Sequence, residues 1–226
     1  MFSDSDLQAI GLTLRLAATA TAILLLFGTP LAWWLARSRW RYKFVLETLV
    51  ALPLVLPPTV LGFYLLLALA PTGPVGAAVQ ALGGPALVFS FQGLVIGSVI
   101  YSLPFVVQPL QDAFARIGHA PLDAAASLGA GPLPRFFQVA LPMARPGLIT
   151  AAVLGFTHTV GEFGVVLMLG GNIPGATQVL SISIYDHVEA LDYASAHRLA
   201  GGLLIGSFLM LLLIYRRRLQ RGLLKA

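Results

Sequence analysis

The sequence predicts an all-α integral membrane protein with five transmembrane helices, and three observations carry that prediction. The composition is 58% hydrophobic and only 10% charged, against about 25% charged in a soluble domain. The apolar runs are long enough to cross a hydrocarbon core, which takes roughly 20 helical residues. Of the 14 Lys and Arg residues, all but Arg15 and Arg198 fall in three stretches: 37–43, 116–145 and 216–225. A bilayer sorts charge in this way, because loops rich in Lys and Arg stay on the cytoplasmic side.

Taken in order, the first helix covers 8–36 and runs into the basic loop 37–43, so it enters from outside and ends in the cytoplasm. The N-terminal residues carry Asp4 and Asp6 instead of a positive region, and the apolar run is too long for a cleavable signal, so this segment is expected to stay as a helix. Trp33, Trp34 and Trp40 sit near its inner end, where aromatic belts form. Arg15 lies in its outer third. It either snorkels to the interface or adds positive potential at the mouth of a pathway.

The second helix covers 44–70 and contains Pro53, Pro57 and Pro58. Proline removes backbone donors and kinks a helix. At membrane depth that is tolerated where neighbouring protein satisfies the freed carbonyls, so this helix belongs inside a bundle. Both a purely structural kink and a bend lining a pore are open. The stretch 71–90 carries no charge and is rich in Gly and Pro; it reads as an external loop with a short interfacial helix at 76–82. The third helix covers 91–111, and 112–145 is the one large internal loop. The fourth helix covers 146–169. The external stretch 170–197 has Asp186, Glu189 and Asp192 but no Lys or Arg, and its middle reads as a helix dipping into the interface. The fifth helix covers 198–215 and ends in the basic tail. The chain is then one transmembrane domain, 1–226, with the N-terminus outside and the C-terminus cytoplasmic. A sixth span arises only if 71–90 or 177–193 re-enters.

Several functions are excluded. The net charge of +5 sits beside apolar runs, where orientation signals and anionic head groups account for it, so nucleic acid is not the partner. Cysteine is absent, which removes thiolate metal sites, disulfides and a Cys nucleophile. An intramembrane metalloprotease wants H-E-x-x-H and a serine hydrolase wants G-x-S-x-G; neither string occurs, and Gly97–Ser98 reads as a packing contact. No catalytic residue and no metal ligand set is expected. A channel or secondary transporter would show inverted repeats or several intramembrane charges, and neither is visible.

The 112–145 loop carries the chemistry. Pro121 and Asp123 suit the first turn of a helix, and Gly129, Ala130, Gly131 and Pro132 break it. A second short helix, 133–141, presents Phe136, Phe137 and Val139, and Pro142 ends it. Small residues on one arm and aromatics on the other suit a partner's pocket. The order acid, Ala, Ala, three residues, Gly, nine residues, aliphatic, any residue, Leu, Pro is met by Asp123, Ala124, Ala125, Gly129, Val139, Leu141 and Pro142. This resembles the cytoplasmic coupling loop of ABC importer permeases, with Asp in place of the usual Glu. The strings PLVLPPTVLG at 53–62 and VGEFGVVLMLGGNIPGATQ at 160–178 look like the permease subunits of molybdate ABC importers, with sulfate and tungstate permeases as near relatives.

The resemblance implies the type I ABC importer permease fold in the cell inner membrane and a homodimer with two ABC ATPase subunits. It also implies an external oxyanion-binding protein and alternating access, with the cavity lined by the second to fourth helices. No cofactor is expected on this chain, with ATP and Mg on the partner ATPase. A phosphate-binding loop needs G-x-x-x-x-G-K-[ST], and the only lysines, Lys43 and Lys225, follow Tyr42 and Leu224.

An ionisable residue inside a membrane is a functional-site hypothesis by default. His158 and Glu162 lie four apart, on one face of a continuous fourth helix, where they can pair. A structural hydrogen bond and a pathway or gate role, shared with Gly161, Phe163, Gly164, Pro57 and Pro58, are both open. Direct contact between Glu162 and an oxyanion is disfavoured by charge.

Overall fold

A computed structural model of the chain describes residues 3–223, with side-chain exposure as far as Leu212. The basic tail expected at 216–225 lies outside the residues whose side chains are described. Among the described residues every regular element is helical. Helix α1 (Asp4–Arg37) starts with a reciprocal cap: the Ser3 hydroxyl accepts from the Asp6 N–H, and the Asp6 carboxylate accepts from the Ser3 N–H. The second expected span is two pieces. Helix α2 (Lys43–Ala51) passes into a 3₁₀ turn at Leu52–Leu54, breaks, and restarts as α3 (Pro58–Leu69). Three prolines each lack an N–H, so the bonds that would bridge the break cannot form. A short α4 (Pro74–Ala81) follows.

Helix α5 (Phe91–Arg116) is capped by Ser90, whose hydroxyl accepts from the Gly93 N–H. It runs longer than the 91–111 expected. Then come α6 (Ala120–Ser127) and a second arm made of α7 (Pro132–Pro134), a π-helical turn at Arg135–Ala140 and α8 (Leu141–Met143). The arm meets α9 (Arg145–Val160) at 72°. The fourth expected span is also broken: α9 stops at Val160 and α10 (Gly164–Gly170) begins after Phe163. Helix α11 (Leu180–Glu189) fills the middle of the next stretch, and α12 (Tyr193–Leu223) starts five residues earlier than expected. Among the described residues four helical stretches are long and apolar enough to cross a membrane (α1, α3 taken with α4, α5, and α12 as far as Leu212), and a fifth if the bent arm and α9 count as one span.

The centre is α1, α5 and α9, which all touch one another. Leu24, Val106, Val107, Leu110, Phe114 and Ala151 are buried between them. In lipid the driving force is close packing rather than escape from water. The polar ties cluster at the end of the bundle that carries the N-terminus. Asp6, 2% exposed, lies 2.9 Å from His187 Nε2 and accepts from Ser183 at 3.2 Å. Asn172 and Gln178 donate to Asp186. Arg15 stands 4.5 Å over the Phe91 ring, a cation–π contact that ties α1 to α5.

Candidate pathway and docking site

The two broken spans face each other. Beyond their breaks, α3 and α10 pack together. Pro58, the first residue of α3, lies against Gly164, the first of α10: a Cβ added at Gly164 would stand 2.7 Å from Pro58 Cβ. Only a residue without a side chain lets the two half-helices meet this closely. Pro58 and Gly164, both expected at the site, are thus in contact, and Pro57 caps α3 beside them.

Glu162 sits in the second break, between Gly161 and Phe163, and is 4% exposed. It does not share a helical face with His158, because α9 ends two residues before it. The expected pairing is therefore absent, for a geometric reason. His158 instead turns to α5: its Nδ1 lies 2.9 Å from the Ser102 hydroxyl, and its ring stacks on Phe105 with centroids 3.8 Å apart. Ser102 Oγ also lies 3.0 Å from Thr159 Oγ1, which donates to the Gly155 carbonyl. That chain of polar contacts locks α9 onto α5. Both carboxyl oxygens of Glu162 and the hydroxyl of Ser98 are buried without a hydrogen-bond partner. A buried polar group left unpaired costs free energy, so this junction is held in place by its surroundings. Helix α11 supplies that hold: Ser181 donates to the Glu162 carbonyl, and Tyr185 packs on Phe163 at 5.2 Å.

The hairpin 118–144 closes the opposite end. Gly129 forms its turn at φ +84°, a region a side chain rarely tolerates. Asp123, Ala124 and Gly129 are exposed, while Ala125 is half-buried. Val139 and Leu141 pack back on the core, so they anchor the hairpin instead of facing outward; Pro142 is exposed. The aromatics divide. Phe136 turns inward, 5.4 Å from Trp33 and 6.1 Å from Phe114, against the expectation that it faces a partner. Phe137, Leu128 and Leu133 face outward at 58%, 90% and 69% exposure, an apolar patch of the kind that marks a protein contact. Arg37, at the end of α1, donates to the Gly118 carbonyl and approaches the His119 ring; Asp123 acts on it at longer range.

Sequence reasoning missed Ser98, Ser102 and Thr159. The signal available was hydroxyls at membrane depth on helices already assigned to the core. Gly97 is the packing contact expected, since a Cβ there would meet Leu169 at 2.5 Å. Among the described residues no three His, Asp or Glu side chains converge in a metal-holding group.

Residues 28–225 match the family model of the binding-protein-dependent transport system inner membrane component. The chain belongs to that family. This inner membrane component is 60% identical over 222 residues to the molybdenum transport system permease protein ModB of Azotobacter vinelandii, with 98% of each chain covered. It is 33% identical to the putative molybdenum transport system permease protein YvgM of Bacillus subtilis, over 92% of this chain and 91% of that one. It is 35% identical to the probable sulfate transport system permease protein cysT of Anthoceros angustus, over 95% and 74%. Among solved structures, a bacterial alginate ABC transporter in complex with an alginate pentasaccharide-bound periplasmic protein superposes with a TM-score of 0.73 at 20% identity, covering 94% of this chain and 77% of that one. The MetNI methionine ABC transporter, in inward-facing conformations, gives 0.71 at 17% identity, covering 93% of each. The fold is thus that of ABC importer permeases, and the inner membrane component is a multi-pass membrane protein.

Proposed function

We propose that this chain is the permease subunit of an ATP-driven molybdate importer. The observation that carries the reading is its 60% identity to a molybdenum transport permease across 98% of both chains. That 60% stands well above the 35% to a sulfate permease, and since another molybdenum permease stands at 33%, the ranking of molybdate first and sulfate or tungstate second rests on the first relative. The chain has no phosphate-binding loop of its own, so the engine sits on a partner: two ABC ATPases docked on the exposed hairpin patch around Phe137, Leu128 and Leu133, with Asp123, Ala124, Ala125 and Gly129 at the contact. A second copy completes the pathway, and an external oxyanion-binding protein delivers the anion.

ATP closes the ATPases and pushes the hairpins. The push passes through the 72° bend into α9 and reaches the two helix breaks. Rocking of α3 and α10 about Pro57–Pro58 and Gly161–Gly164 opens the pathway, with Glu162 and Phe163 at the hinge. His158 braces α9 on α5 and stays fixed.

The test is uptake into vesicles holding the permease and its ATPase, supplied with loaded binding protein. Molybdate uptake should require ATP and be competed by tungstate more strongly than by sulfate. Uptake that continues without the ATPase, or that prefers sulfate, overturns the reading. Reporters fused after Ala226 and near Asp4 test orientation: the first should be cytoplasmic and the second external.

A further inference from the structure

A crevice of about 400 Å³ opens between α1, α9 and α12, reaching as far as Val160 at the end of α9. Ile10 and Leu14 of α1, Phe156 and Val160 of α9, and Leu203 and Met210 of α12 line it, and the one charged residue among its walls is Arg198. Arg198 and Met210 stand about 18 Å apart along the helix axis at 1.5 Å per residue. That is close to half of a hydrocarbon core about 30 Å thick, the depth of one leaflet. Arg198 lies at the shallow end, in the polar layer of Asp6, His187 and Asp192.

The guanidinium is available. One of its N–H groups donates to Ser195 Oγ at 2.9 Å, and arginine has four more. Asp192 is the carboxylate that acts on it. That carboxylate is engaged elsewhere: Oδ1 accepts from the Ser195 N–H, and Oδ2 lies 3.5 Å from His187 Nδ1. Gly202 and Gly206 face the crevice, and a Cβ built at either meets nothing within 4 Å. The space is therefore open, apolar along its length and cationic at one end.

We propose that this crevice binds one anionic phospholipid, its phosphate on Arg198 and an acyl chain laid between α1, α9 and α12. Charge complementarity selects the occupant. An apolar helix face of a second copy offers nothing for the guanidinium, whereas an anionic lipid satisfies both the cation and the slot.

The experiment uses the purified transporter in nanodiscs of phosphatidylcholine with or without phosphatidylglycerol, followed by detergent extraction and quantification of retained lipid. Phosphatidylglycerol should be retained roughly tenfold better than phosphatidylcholine, because both present a phosphate to Arg198 but the choline cation of the latter opposes the guanidinium. Arg198→Gln should abolish that preference, lowering phosphatidylglycerol retention to the level of phosphatidylcholine. Gly206→Leu, which fills the slot, should lower retention of both lipids, with the melting temperature in phosphatidylcholine serving as the folding check. Equal retention of the two lipids by the wild type overturns the proposal, as does an unchanged preference in Arg198→Gln. Stabilisation by inorganic phosphate in pure phosphatidylcholine would assign the site to a free anion and overturn it. Cross-linking of two copies through Gly206→Cys would assign the crevice to a second chain and overturn it too.

Discussion

Replacing Gly164 with alanine forces apart the two half-helices on which the proposed gate depends. The new Cβ would stand 2.7 Å from Pro58 Cβ, and ordinary contacts begin near 3.4 Å, so the junction must open by about 0.7 Å. Pro58 cannot yield by changing rotamer, because its Cβ belongs to a ring fixed to the backbone. Overpacking of this kind costs about 1–3 kcal/mol. For a chain of this size each kcal/mol moves Tm by about 2–4 °C, which gives a fall of about 2–12 °C. Melting of the purified transporter and uptake in vesicles are the two readouts, and both should drop. Pro58→Gly removes the opposing atom, so the double variant should recover part of both losses, with a coupling of about 0.5–3 kcal/mol. If Gly164→Ala melts with the wild type, or if the two changes are simply additive, α3 and α10 do not meet as described.

Gly129→Leu places a side chain at φ +84°, at a cost of about 1–2 kcal/mol; ATPase activity should persist in the assembled transporter while molybdate uptake falls. Phe137→Ala and Leu133→Ala remove exposed anchors, and each should weaken co-purification of the ATPase by roughly tenfold or more. Asp6→Ala strands His187 and Ser183 and removes the carboxylate half of the reciprocal cap of α1; it should lower stability by about 2–4 kcal/mol, read as a shift in Tm. The Ser195 hydroxyl, then its N–H, hold the Asp192 carboxyl below its ordinary 3.8. That stabilisation is present above the ordinary value and is lost as pH falls through the lowered one. Asp192→Asn should therefore flatten the acid limb of a Tm-against-pH curve measured from about pH 5 downward past the ordinary 3.8.

The helical class, the order of spans and the hairpin with its glycine turn were readable from charge placement and punctuation. The breaks were only half readable. Pro53, Pro57 and Pro58 announced a disturbance, but a lone proline and a full interruption look alike in sequence; the difference lies in three missing donors falling within six residues. The second break carries no proline. Gly161 and Gly164 permit it, yet the hydropathy of 146–169 is that of one helix, and so His158 and Glu162 were expected on a common face. Phe136 and Phe137 are adjacent and chemically identical. Which one turns inward depends on Trp33 and Phe114, more than twenty residues away on other helices, and no local pattern records that. The pairing of Asp6 with His187 spans almost the whole chain, and two isolated polar residues give no hint of each other.

The inward turn of Phe136 has a mechanical consequence. Because its ring is wedged between Trp33 of α1 and Phe114 of α5, the docking arm is keyed to two spans besides the one it joins covalently. On the proposed coupling, torque delivered at Phe137 would therefore turn three shafts together, like a splined coupling. Trimming that wedge to alanine would let the arm slip on its seat, and fuel would burn while the gate stood still.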